Sequence, residues 1–119
     1  MSDDNLFERR QAERRYALNF LDYEVISQDG KILGRGLART LNVSENGLRL
    51  ETGQFFDPGQ RLRITLGLDN SLVQVNGRVI NSQPENDELC TSGVMFLEFD
   101  DADYRIYQSH LDALKNTVE

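Results

Sequence analysis

The sequence predicts a mainly β domain, built as an antiparallel barrel or sandwich, with one α-helix at its C-terminal end. About six short segments rich in β-branched and aromatic residues follow one another at regular spacing, which favours antiparallel strands over alternating strands and helices. Turn-forming Gly, Asn and Pro residues separate these segments, and the last part of the chain changes to helical periodicity. The length of 119 residues fits a single domain.

The first two predicted strands form a hairpin. Residues 17–27 are rich in aromatic and β-branched side chains, as strands are. Gly30, which follows them, tolerates the backbone conformation that a tight turn requires. The second strand is predicted over residues 32–41, with Arg35 and Arg39 on one face.

The remaining strands are predicted from the alternation of apolar and polar residues. They are separated by turns at 42–47 and 57–59 and by the polar segment 81–88, which is predicted to be a loop. Gly77 is a candidate β-bulge. The four predicted segments are 48–51, 61–66, 72–80 and 89–99.

The C-terminal segment is predicted to be a helix that packs on the β domain. Three aspartates stand at its start, where negative charge suits the positive end of the helix dipole. The large apolar residues that follow recur at helical spacing, namely Tyr104, Tyr107, Leu111 and Leu114.

The net charge of −7 is unevenly distributed along the chain. Residues 83–119 carry nine acidic and two basic residues, whereas the rest of the chain is balanced. A nucleic-acid polymer needs a broad basic face, so this distribution argues against such a partner but allows a compact anion held by a few arginines. With one cysteine, no signal peptide and no membrane-spanning or membrane-inserting segment, a soluble cytoplasmic protein is expected.

Catalysis, metal binding and a resident cofactor are not expected. One histidine and one cysteine are too few for a familiar zinc site. His110 lies within the predicted helix, where a packing or surface role is the simpler interpretation. The acidic residues at 98–103 lack the spacing of a calcium-binding loop and are interpreted as helix-capping residues.

Residues 1–15 are predicted to be an N-terminal arm, because they carry four arginines and little apolar surface. Every basic residue of the arm is an arginine. A guanidinium group can form paired hydrogen bonds with a phosphate or a guanine edge and can stack on a base. By itself, such a run is also typical of a solvated helix face.

A second motif is the turn Asn42-Val43-Ser44-Glu45-Asn46-Gly47. It presents an amide, a hydroxyl and backbone N–H groups at one point, with a glycine that allows close approach. An Asn-Gly pair between two strands is also a common hairpin turn, whose polar side chains bond their own backbone.

Together, the two motifs resemble those of the PilZ family of bacterial cyclic di-GMP receptors. The resemblance extends from the arm through the C-terminal helix. It rests on an arginine motif and a turn motif, formed by Arg9, Arg10 and Arg14, and by Asn42, Ser44 and Gly47.

The resemblance implies a six-stranded antiparallel barrel over residues 16–119, with cyclic di-GMP bound to its outer face between the arm and the turn. Arg10 and Arg14 would hold guanine edges and phosphates, and the turn motif would hold the other side of the ligand. The residue just ahead of the arginine motif influences in this family whether one ligand or an intercalated pair binds, and Arg9 favours the pair. The chain has no tryptophan, so an apolar platform at the end of the 72–80 strand must come from other residues.

The expected function is therefore that of a non-enzymatic receptor. The ligand would order the arm, and the ordered arm would signal to a partner protein. The alternative is a protein-interaction module of the same fold that binds no nucleotide and docks a basic partner through its acidic residues 83–119. Binding of single-stranded RNA is a third interpretation, but no aromatic stacking face accompanies the arginines.

Overall fold

In the computed structural model, which describes residues 20–68 and 71–118, six antiparallel strands close into one barrel. The order around the barrel is β1-β2-β3-β6-β5-β4, and β4 pairs with β1 to close it. The predicted β-barrel with a C-terminal helix is confirmed, whereas the predicted arm at 1–15 lies outside the described residues. The elements are β1 (Phe20–Ile26), β2 (Ile32–Val43), β3 (Gly47–Thr52), β4 (Arg61–Leu68), β5 (Ser71–Pro84), β6 (Cys90–Phe99) and α1 (Asp101–Val118).

The core fills the barrel because alternate side chains of each strand point inward. On β4 the leucine and isoleucine residues are almost fully buried, while the arginines and Thr65 between them are not. Tyr23 of β1 is buried as well and packs edge-on against Phe56, with ring centroids 5.4 Å apart. The clean alternation of β4 predicted this face correctly, and the buried Phe56 lies in a loop where alternation gives no signal.

Strand β5 is longer than predicted, because residues 81–84 continue its ladder and pair with residues 90–93 of β6. The predicted loop at 81–88 was therefore wrong over its first half. Polar side chains are accommodated in this part of the strand through partners on β6: the Ser92 hydroxyl donates to the Ser82 hydroxyl at 2.8 Å. The register shifts between Asn76 and Gly77, but the additional residue is Leu97 on β6, so the bulge lies on the partner strand opposite Gly77 and not at Gly77 as predicted.

One end of the barrel, here termed the helix end, carries the start of β1, the β2–β3 turn and the β6–α1 junction. The Asp100 carboxylate caps α1 by accepting from the backbone N of Ala102 at 3.1 Å. Tyr107 and Leu111 are buried against the barrel, which confirms the predicted apolar stripe. Within the described residues, no helix has the length and apolar character needed to cross a membrane.

Candidate functional site

The turn between β2 and β3 is fixed by hydrogen bonds on both of its sides. The backbone N and the hydroxyl of Ser44 both donate to the carbonyl oxygen of Gly47, at 2.9 and 3.1 Å. The carbonyl oxygen of Asn46 accepts from the backbone N of Phe96 on β6 at 2.8 Å. Ser44 is an exposed residue, and its hydroxyl, which is a donor in the turn, retains lone pairs that can accept a hydrogen bond from a ligand.

Gly47 is required by packing rather than by backbone strain. Its φ lies outside the left-handed region, and a Cβ at this position would collide with the carbonyl oxygen of Val94 on β6. Gly47 is itself buried. Because Gly47 has no side chain, the start of β3 can lie directly against β6. This contact holds the turn close to the barrel wall.

A β-bulge directs the Asn42 side chain to the outer face of the barrel. Thr40 pairs with Leu50 and faces the core, and the next pairing is Asn42 with Arg49, so Leu41 has no partner of its own on β3. In a regular strand, Asn42 would share the inward face of Thr40. The additional residue reverses this parity, and Asn42 is exposed beside the turn.

Residues paired with Asn42 form a row that crosses four strands of the barrel. Asn42 on β2 pairs with Arg49 on β3, Arg49 pairs with Gly93 on β6, and Gly93 pairs with Asn81 on β5. Neighbouring strands lie about 4.8 Å apart, so the row Asn42-Arg49-Gly93-Asn81 spans roughly 14 Å. This polar row forms one level of the outer barrel surface next to the turn.

The row lies in a shallow groove of about 390 Å³ that also contains Ser44 and Gly47. A second bulge, in β5, leaves Ile80 without a partner on β6 and exposes 55% of its side chain at the groove. Among the residues that the structure describes, Arg49 is the only charged one lining the groove. The groove therefore combines a cation, neutral hydrogen-bonding groups and one exposed apolar side chain.

A larger depression, of about 960 Å³, lies on another part of the barrel surface. Arg61 and Arg63 contribute to it, but so do four carboxylates, those of Glu98, Asp100, Asp101 and Asp103. Coulomb repulsion from these carboxylates disfavours an anionic ligand there. In the described parts of the chain, no group of three or more His, Cys, Asp or Glu residues could hold a metal ion.

The helix α1 contacts the site directly through Tyr107. Its hydroxyl donates to the carbonyl oxygen of Ser44 at 2.7 Å, and its side chain is fully buried. Burial raises the pKa of Tyr107 well above its usual value, which keeps the phenol neutral and able to donate. Its ring also packs edge-on against Phe96, with centroids 5.3 Å apart.

The structure brings together three of the six residues that the sequence predicted for the site, Asn42, Ser44 and Gly47. The other three, Arg9, Arg10 and Arg14, lie outside the described residues. Strand β1 begins at Phe20, opposite Arg39 of β2. The chain therefore enters the barrel at the end that carries the turn, three residues along β2 from Asn42.

Sequence reasoning missed Arg49, Ile80, Asn81 and Gly93. Alternation after Gly47 was sufficient to put Arg49 on an outer face, but it could not tell which strands flank β3. The predicted loop at 81–88 also removed Asn81 from consideration. These residues become part of one groove only through the β2-β3-β6-β5 pairing order.

Comparison with solved structures shows the same fold in two larger proteins. The structure of MrkH from K. pneumonia in its apo state is similar with a TM-score of 0.62 at 17% identity, over 84% of this chain and 48% of that chain. A pathogenic protein from Xanthomonas campestris, described as a tetrameric PilZ domain self-assembled via a helical bundle, has a TM-score of 0.54 at 19% identity, over 76% of this chain and 50% of that chain. The chain thus spans about half the length of these two proteins.

No curated protein sequence matches the chain significantly. The family model of the PilZ domain, however, matches residues 8–113. This match includes both the arginine motif and the turn motif, as well as all six strands and most of the helix. The chain belongs to the PilZ domain family.

Proposed function

We propose that the chain is a non-enzymatic receptor for cyclic di-GMP and that it holds the ligand between its N-terminal arm and the groove. The observation that carries the proposal is the groove itself. Asn42 and Ser44 both line it, and no acidic residue among those described does so, although the chain has a net charge of −7. A cyclic dinucleotide with two negative phosphodiesters meets no lining carboxylate in this groove.

The length of the arm is compatible with this assignment. From the β1–β2 pairing, Phe20 and Asn42 are separated by one strand spacing and three residues along β2, or roughly 11 Å. The six residues from Arg14 to Phe20 reach up to about 20 Å when extended. Arg14 can therefore lie over the groove, and Arg10, one helical turn or a few extended residues further on, can reach it as well.

The arm and the groove would supply different contacts. Arg10 and Arg14 would fork onto phosphate oxygens or guanine edges, and Arg9 would add charge that favours an intercalated pair of ligands over a single one. On the barrel side, the Asn42 amide and the Ser44 hydroxyl would bond the ligand, while Gly47 would keep the turn low enough for it to approach.

Ligand binding would be transmitted by ordering of the arm. Fixing the backbone costs about 1–2 kcal/mol per residue, and the arm has little apolar surface to offset this cost. A ligand that contacts both the arm and the turn would stabilise the ordered arm and change the surface available to a partner protein. A receptor of this kind needs no catalytic group.

The test is calorimetric titration of the full chain with cyclic di-GMP, with GTP as the ligand control. Removal of one charge-assisted contact by Arg14→Ala should weaken binding roughly 10–150-fold. Arg15→Ala removes the same charge from the neighbouring position, which is outside the motif, and should bind within about twofold of the parent. A stoichiometry of two ligands per chain is expected for an intercalated pair.

Equal affinities for the parent and Arg14→Ala would show that the arm does not bind the ligand. If the parent itself bound cyclic di-GMP no better than GTP, the receptor function would be wrong.

A second function, a protein-interaction module that binds no nucleotide, is favoured by the outer face of β2. This face carries a leucine at every fourth position, Leu33, Leu37 and Leu41, which expose 65%, 71% and 40% of their surface. Exposed apolar groups of this kind mark interaction surfaces. A nucleotide titration that leaves the NMR resonances of the arm unchanged would support this function.

A further inference from the structure

We propose that Arg49 is an additional ligand-binding residue, which binds a phosphate of the dinucleotide from the barrel side of the groove. This inference rests on the proposed receptor function and makes it more specific. Binding would then involve guanidinium groups on both sides of the ligand, from the arm and from β3.

The strand register places Arg49 in the centre of the candidate site. Its two cross-strand neighbours are Asn42 on β2 and Gly93 on β6. Arg49 is exposed and lines the same groove as Asn42 and Ser44. Arg49 and the motif residue Asn42 thus stand one strand spacing, about 4.8 Å, apart, so that both side chains can reach the same ligand.

The charge of Arg49 is available for a ligand, in contrast to that of other arginines on the outer face. Arg39 is paired with Glu51 at 3.1 Å, and Arg35 and Arg63 both contact Glu24 at 3.3 Å. Within residues 20–68 and 71–118, no carboxylate lies within ion-pair distance of Arg49. An arginine flanked by an asparagine and a glycine retains its fork of donors for an external anion.

A neutral donor, the Asn81 amide, lies over the glycine beside Arg49. Gly93 has no side chain, and a Cβ there would lie 3.3 Å from Oδ1 of Asn81. Because Oδ1 accepts from the backbone N of Gly93 at 3.3 Å, the amide NH₂ of Asn81 keeps its two donors for another partner. The backbones of Arg49 and Asn81 are about 10 Å apart, but the Asn81 amide lies over Gly93, next to Arg49, so a phosphate bonded to Arg49 can also accept from Asn81.

This arrangement has a consequence for the position of the ligand. Contacts with the turn alone would leave the ligand over β2, whereas a phosphate at Arg49 extends it across β3 and towards β6. The groove there has no acidic lining among the described residues, so each part of the ligand that crosses it avoids a desolvated carboxylate.

The experiment compares Arg49→Gln with Arg61→Gln by calorimetric titration of the full chain with cyclic di-GMP. Both variants remove one exposed arginine from the outer barrel surface and change the net charge equally. Arg61 stands at the other end of the barrel, opposite Ile26 and Arg78, and does not line the groove. Arg49→Gln should weaken binding about 10-fold or more, and Arg61→Gln should remain within about twofold of the parent.

Two further measurements identify the contact. The ³¹P resonances of bound ligand should shift between the parent and Arg49→Gln, and Arg49→Lys should recover part of the lost affinity because a phosphate also accepts from an ammonium group. Urea unfolding should give the same midpoint for all three proteins, since Arg49 is exposed and has no ion pair with residues 20–68 or 71–118 to lose.

Equal affinities of the parent and Arg49→Gln, with the parent binding cyclic di-GMP, would overturn the role of Arg49 and leave the receptor function in place. An equal loss in Arg49→Gln and Arg61→Gln would also overturn it, because the effect would then be one of net charge. Failure of the parent to bind would reject the receptor function and, with it, this inference.

Discussion

The hydroxyl of Tyr107 donates a 2.7 Å hydrogen bond to the carbonyl oxygen of Ser44, which lies 63 residues earlier in the chain. This contact joins the C-terminal helix to the turn that carries the candidate binding motif. Tyr107 is fully buried, whereas Ser44 is exposed. The helix therefore supports the turn from inside the protein, and the outer side of the turn remains accessible to solvent. The helix is thus part of what positions the site.

Replacement of Tyr107 by Phe should lower the free energy of unfolding by about 0.5–1.5 kcal/mol, because the ring packing is kept and one hydrogen bond is lost. The affinity for cyclic di-GMP should also fall, by a smaller factor than in Arg14→Ala, since the turn loses a support and not a ligand contact. Urea unfolding and calorimetric titration measure the two effects.

Tyr104→Phe is the matched control for this change. Tyr104 lies on the same helix and packs against Phe99 with ring centroids 5.3 Å apart, but its hydroxyl makes no hydrogen bond with the described residues. Its variant should match the parent in both measurements. Equal effects of the two variants would contradict a specific role for the Tyr107 hydroxyl.

Stability should decrease at alkaline pH in a way that depends on Tyr107. Burial raises the pKa of Tyr107 above its usual value of 10.0, so the folded state retains this proton over a range in which the unfolded state has lost it. The resulting stabilisation is complete below about pH 10 and is lost as the pH rises further, by up to about 1.4 kcal/mol per pH unit.

Urea unfolding between pH 8 and pH 11 tests this dependence. The parent should lose stability above pH 10 more steeply than Tyr107→Phe, which has no phenol at this position. Burial also raises the pKa of Tyr23, so the variant should keep a residual slope. Identical slopes in the parent and Tyr107→Phe would show that Tyr107 does not titrate as expected.

Gly47→Ala should destabilise the fold by about 1–3 kcal/mol, because the added methyl group meets the backbone of β6 and the strand must move. Gly34→Ala on β2 is the control, as a Cβ there has open space and its φ is not in the left-handed region. This control should show no loss and can gain up to about 1 kcal/mol. The midpoints of urea unfolding decide the matter: similar losses in both variants would mean that the tight contact with Val94 is not what requires Gly47.

Ile80→Trp should strengthen the binding of cyclic di-GMP. Ile80 is the exposed apolar side chain of the groove, and stacking of a base on an aromatic ring contributes about 1–3 kcal/mol, so a gain of roughly fivefold or more is expected. Leu72→Trp, on the same strand but outside the groove and 75% exposed, should leave the affinity unchanged. A gain in both variants, or in neither, would show that Ile80 does not face a base.

Much of the fold could be predicted from local patterns. The alternation of β4 and the helical spacing of Tyr107 and Leu111 correctly identified which side chains are buried, because burial on one face repeats with the period of the element. Predictions failed where a residue's environment depends on a distant strand. Ser82 lies in a polar segment that is predicted to be a loop, yet it forms part of β5 because its backbone pairs with Ser92 of β6, whose hydroxyl also donates to the Ser82 hydroxyl.

The residues of the candidate site likewise fall into those that local sequence predicts and those that only strand pairing identifies. The turn motif could be predicted because its three residues are within six positions of one another, and the family model match at residues 8–113 confirms the family that the motif indicated. Arg49 could not be assigned, because its neighbours in the groove come from β2, β6 and β5. The two bulges, at Leu41 and Ile80, are equally invisible in the sequence, since a bulge is defined by the register of the partner strand.

By itself, the sequence determined the family, the approximate strands and the residues of the turn motif, because these depend on local periodicity and short spacing. Only the tertiary structure decided that Asn42 faces outward, that Gly47 lies against Val94 and that Arg49, Gly93 and Asn81 continue the motif across the barrel. The physical reason is that barrel closure and strand register are set by backbone hydrogen bonds between residues far apart in the chain, and these bonds decide which side chains share a surface.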